Sequence, residues 1–170
     1  TIFAPLFEVL RDRGVRFKFF HRLERLRVEG LRISEIELAL QARDPEGYRP
    51  LARFGHIRGW PAEPDRQQLS AIVSGDLEGD TGPSLGRLTL REHEHFDEVV
   101  LAIPATAHHR FARDLLDRSP RYRKMVENTH GVATIAAQWW LARKTSQLGW
   151  HGRAPVLTGL PGLFRTWADL

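Results

Sequence analysis

Residues Phe96–Pro104 read FDEVVLAIP, and the apolar run inside them, Val99–Ile103, shows no polar alternation. A run of that kind is the pattern of a strand covered on both faces, as inside a parallel sheet. Asp97 and Glu98 precede it and Pro104 stops it. A helical pattern then opens, with Phe111, Leu115 and Leu116 on one side and Arg110, Arg113 and Asp117 on the other. Strand, abrupt turn and helix form the unit from which α/β proteins build crevices at the carboxyl ends of strands. A strand buried on both faces needs neighbours, and the rest of the chain offers few obvious ones.

Upstream, Phe3, Leu6, Phe7 and Leu10 are spaced for a helix over 2–13, with Gly14 at its C-terminal cap. That helix opens almost at residue 1, so its natural beginning is expected to lie upstream. Val15, Phe17 and Phe19 alternate with Arg16 and Lys18 in a strand signature. After a break near His21-Arg22, Leu23, Leu26 and Val28 continue extended structure, and Ile36–Leu40 reads as a hairpin partner for Leu26–Glu29. From 42 to 86 Gly and Pro punctuate the chain, only Asp65–Ile72 looks helical, and 75–86 reads as the tip. Leu88–Leu90 is a short strand that leads through a turn over 91–95 into the central run. Ser119-Pro120 opens a helix to about Glu127. Val132–Leu141 reads as a strand with Trp139 and Trp140 on opposite faces, 149–154 as a turn, and Val156–Gly159 as a last short strand.

The 170 residues match one domain or two small lobes, and 42% hydrophobic with 27% charged residues is the composition of a folded chain. No apolar run approaches the ~20 residues that cross a bilayer. The absence of cysteine excludes disulfides, thiolate zinc sites and thiol chemistry. It also suits a reducing cytosol, so a cytoplasmic location is expected. The net charge of +4 comes mostly from Arg, but acidic residues interleave with it almost everywhere. A solvated surface therefore fits better than a nucleic-acid surface.

His93-Glu94-His95 has the look of a metal pair but lacks a third ligand nearby, so a solvated turn is expected and no metal site is assigned. His108 and His109 are adjacent at a helix start, about 100° apart, the wrong arrangement for chelation, and a surface position is expected for both. GxGxxG, HExxH, GxSxG and GxxxxGK[ST] are all absent. No catalytic residue can be named from these patterns.

Two stretches in order, GVRFKFFHRLERLRV (Gly14–Val28) after a helix and FDEVVLAIPATAHHRF (Phe96–Phe111), resemble the middle section of flavin-containing amine oxidases and phytoene-desaturase-type oxidoreductases. VATIAAQWWLARKTSQLGW and LPGLFRTWADL resemble later substrate-domain strands of bacterial members. The resemblance is thin over 42–86. It implies an α/β (α+β) fold: part of an FAD/NAD(P)-binding three-layer domain plus part of a mixed-sheet substrate domain. Residues 1–41 would supply FAD-domain helix, strand and β-excursion, 42–86 an insert, 87–104 return strands, and 105–170 the substrate domain.

The resemblance further implies FAD as cofactor, a small-molecule substrate, and oxidation of a C–N or C–C bond by a longer enzyme of which this is an internal segment. Leu23 matches the hydrophobic position whose backbone meets the FAD adenine, and equally reads as a core residue. Ala102 and Pro104 match the small-residue turn passing close to the flavin, although Pro104 also serves simply to end a strand. Trp140 falls on the substrate side by strand location. The alternative is a stand-alone, non-catalytic α+β binding module with an Arg-rich surface.

Overall fold

The computed structural model describes residues 2–44, 47–79, 81–153, 156–159 and 166–168, and the chain divides into two units, 1–129 and 130–170. It is a mixed helix and strand protein of α+β character.

In the first unit, helix α1 (Phe3–Asp12) ends as its sequence dictates. The Gly14 amide donates to the Arg11 carbonyl (2.9 Å) and the Val15 amide to the Leu10 carbonyl (3.0 Å). This Schellman pairing needs a left-handed residue, and Gly14 has φ +91°. Residues 15–19 join no strand, contrary to their alternating pattern. Their aromatic side chains gather instead with α1 and the 42–60 segment: Phe7 lies 4.6 Å from Phe17 and 5.4 Å from Trp60, and Phe19 lies 5.7 Å from Tyr48, between ring centroids. Ring-on-ring burial replaces the ladder.

Strands β1 (His21–Glu29) and β2 (Arg32–Leu40) form the expected hairpin, with Leu26 opposite Ile36. Its pairing is longer than the sequence indicated and runs to Leu40 opposite His21. The register slips between Leu23 and Arg25 and again between Arg27 and Val28. Leu23 and Leu26, three residues apart, would face opposite ways on a regular strand. The first bulge returns both to one face, and the second does the same for Ile33 and Ile36.

Within 42–86 the described residues form more regular pairing than the Gly and Pro content indicated. Strand β3 (Ala42–Arg43) pairs across this segment with β6 (Ala71–Ile72), and β4 (Ala52–Phe54) forms a hairpin with β5 (Ile57–Gly59). The helical signal at 65–72 shrinks to one 3-10 turn, Arg66–Gln68, capped by Asp65. Strand β7 (Gly86–Arg91) returns beside β2, giving an antiparallel sheet of order β1-β2-β7. On the outer face of this sheet Arg27 reaches Glu37 and Glu35, and Arg91 also reaches Glu35. Arginines there are matched by acids across strands, which accounts for the interleaving seen in the sequence.

A 3-10 turn (Ala105–Ala107) leads into α2 (His108–Phe111) and α3 (Arg113–Arg118), so the helical pattern expected after Pro104 is broken at Ala112. Helix α4 (Pro120–Glu127) starts at the expected Ser-Pro, and the Tyr122 amide donates to Ser119 Oγ at 3.3 Å. Leu26, Phe111 and Ala112 form the centre of the core, with Leu23, Ile33, Ile36, Leu101 and Ile103 packed around it.

The second unit contains a 3-10 turn at Thr145–Leu148 and a hairpin of β8 (Val156–Thr158) with β9 (Thr166–Ala168). Trp139 stacks on Trp167, with 5.9 Å between ring centroids and 15° between planes. Residues 132–141 were expected as a strand, yet they pair with no described residue and are exposed throughout. A strand's alternation carries no hydrogen bonds of its own, and without a neighbour it forms no ladder. The resemblance quoted for the tail reaches into 160–165 and 169–170, and the turn expected over 149–154 reaches into 154; these lie outside the described residues.

Candidate functional site

The feature expected to organise the fold, Val99–Ile103, is not a ladder strand. Among the described residues none of its members pairs, and the nearest pairing is an isolated bridge between Glu92 and Phe96, just before it. The alternation hidden by its uniform apolar composition becomes visible in burial. Val99, Leu101 and Ile103 turn inward, and the latter two pack on the Leu26–Phe111 core. Val100, Ala102 and Pro104 are exposed, Val100 by 91%. The run is covered on one face and bare on the other, so its apolar second face is available to whatever approaches it.

A buried histidine anchors the carboxyl end of this run. His108 was expected at the surface, but it is 5% exposed, while His109 is exposed. His108 Nε2 lies 2.8 Å from the Ile103 carbonyl oxygen, and Nδ1 lies 2.7 Å from the Tyr122 hydroxyl. Only one arrangement satisfies all three groups: Nε2–H donates to the carbonyl and the tyrosine O–H donates to Nδ1. The two rings stack at 8°. Burial raises the Tyr122 phenol above its ordinary value, which keeps it a donor. The link holds the carbonyl immediately before Pro104, whose backbone (φ −53°, ψ 134°) turns the chain into the 105–107 turn. Sequence reasoning expected His108 at the surface and missed Tyr122. The available signal was the helix start at Ser119-Pro120, which places Tyr122 in the first turn of α4.

The residues named from the sequence fall in three settings. Leu23 lies in β1 opposite Leu38 and, half-buried, packs its side chain on the core, which matches its reading as a core leucine. Ala102 and Pro104 sit together on the bare face, where small side chains leave the backbone open to a flat molecule. Leu23 and the inward face of the run meet at the same core cluster. Trp140 is 83% exposed in the second unit, in a segment that is not itself a strand.

His93-Glu94-His95 forms a turn in which His95 Nδ1 accepts from the Arg91 amide at 3.1 Å. Among the described residues no three His, Asp or Glu groups converge as metal ligands. No helix among them is long and apolar enough to cross a membrane. No family model, curated protein or solved structure matches this chain.

Proposed function

We propose that this chain is a segment of an FAD-dependent oxidoreductase of the amine-oxidase or desaturase type, acting on a small-molecule substrate in the cytoplasm. The observation that carries this reading is the bare face Val100–Ala102–Pro104, held in place from behind by Leu101, Ile103 and the His108–Tyr122 link. It supplements the order of elements on which the resemblance rests: helix, glycine, antiparallel excursion, apolar run and helix. The antiparallel sheet β1-β2-β7 with α2 and α3 against it is compatible with one layer of a three-layer domain. The flavin, when bound, supplies the hydride-accepting chemistry of C–N or C–C oxidation. The chain's own part is positioning: His108 and Tyr122 fix the Ile103 carbonyl, and Ala102 and Pro104 leave room for backbone approach. Trp140 is the substrate-side candidate.

The test extends the reading frame in both directions and purifies the longer product. An in-frame GxGxxG upstream and flavin absorbance in the purified protein are the expected results. Ala102→Trp, which fills the bare face, should lower flavin content while the protein stays folded. A frame with no such motif and a colourless product refutes the reading. The second reading, a binding module without catalysis, is favoured by a cationic, aromatic hollow on the first unit. A start codon directly before Thr1 would select it.

A further inference from the structure

Away from the Pro104 turn, the aromatic cluster of α1 opens to solvent in two adjoining hollows of about 380 and 350 Å³ that share Phe7, Arg11 and Tyr48. The first continues along Arg16, Phe17, Lys18 and Phe19, and the second along Arg49 and Arg58. Among the described residues, five cations line them and no carboxylate does. That contrasts with the sheet face, where Arg27 and Arg91 meet Glu35 and Glu37.

Two of the five are already engaged: Arg58 with Glu8 at 2.7 Å and Arg11 with Asp12 at 3.0 Å. Among the described residues, no ion pair or hydrogen bond occupies the side chains of Arg16, Lys18 or Arg49. The floor is aromatic, with Phe17 and Phe19 close to parallel at 13° and 6.4 Å apart. Trp60 closes on Phe7 and remains 43% exposed. Free cations beside exposed ring faces attract a molecule that carries both a negative group and a planar ring. The volumes fall at the small end of the range for small-molecule sites.

We propose that this hollow binds a small anionic ligand with a planar ring, its anionic group on Arg16, Lys18 and Arg49 and its ring against Phe17, Phe19 and Tyr48. A nucleoside monophosphate and an aryl carboxylate share that chemistry. The inference is independent of the flavin reading, because Leu23, Ala102 and Pro104 line neither hollow.

Titration calorimetry with AMP and with 1-naphthoate tests the site, using adenosine and inorganic phosphate as half-ligands. At least one ring-bearing anion should saturate below about 1 mM, and whichever binds more tightly identifies the source of the charge. Both half-ligands should bind at least tenfold more weakly. Arg16→Ala with Lys18→Ala should weaken binding about tenfold, since each removes one charge-assisted contact. These side chains are exposed and unpaired, so the circular dichroism of the variant should match the parent. Added salt should weaken the parent complex more than the variant's. The proposal is overturned if neither anion saturates by 10 mM or if the double variant binds as the parent does. It is equally overturned if single-stranded oligonucleotide binds more tightly than both with a steep salt slope, which would mark a polymer surface.

Discussion

Replacing Tyr122 by Phe isolates the link that holds the end of the apolar run. The phenyl ring keeps the stacking on His108 and fills the same volume, so no cavity forms. What disappears is the O–H donated to Nδ1 at 2.7 Å, leaving a ring nitrogen without a partner on a residue only 5% exposed. An orphaned buried acceptor costs about 1–3 kcal/mol. Because Tyr122 itself is partly exposed and water can reach its edge, the lower half of that range, about 1–2 kcal/mol, is expected here. All four described α-helices lie in the first unit, so urea unfolding followed by helical circular dichroism reports the unit that contains the link.

His108→Phe alone should cost more, since it orphans both the Ile103 carbonyl and the tyrosine hydroxyl. Tyr122→Phe added to it should then cost little. A coupling of about 1 kcal/mol between the two sites completes the cycle. A Tyr122→Phe variant within about 0.3 kcal/mol of the parent, or strictly additive changes, would refute the link as an anchor.

Other consequences follow from the same geometry. Phe111→Ala empties a site that is 1% exposed at the centre of the core, and should cost about 3–5 kcal/mol in the same unfolding assay. Gly14→Ala meets no atom within 4 Å, so its cost is purely that of a left-handed alanine, about 1 kcal/mol, read as a lower urea midpoint. Tyr122 has its phenol pKa raised by burial from the ordinary value of 10.0. The unfolded chain therefore releases this proton first, so stability is intact below pH 10 and falls as pH rises from there through the folded value. Tyr122→Phe should flatten that alkaline loss, measured as unfolding midpoint against pH.

The local signals in the sequence were strong where one residue governs one backbone state. Helix α1 with its Gly14 cap, the Ser119-Pro120 start of α4, the β1–β2 hairpin and the β7 return were all legible, because capping, proline geometry and alternation act within a few residues. Of the candidate site, Ala102 and Pro104 were legible as small residues ending an apolar run. Which side of that run would be packed was not, since five apolar residues in succession carry no alternation to read. Only the Leu26–Phe111 core selects Leu101 and Ile103 and leaves Val100 and Ala102 outside. The bulges that bring Leu23 beside Leu26 answer to the same core, and so does His108, drawn inside because Tyr122 and the Ile103 carbonyl satisfy both of its nitrogens. The alternations at 15–19 and 132–141 specified a strand's sidedness without its hydrogen bonds. Pairing is a property of neighbours, and neighbours are assigned by tertiary structure rather than by the segment itself.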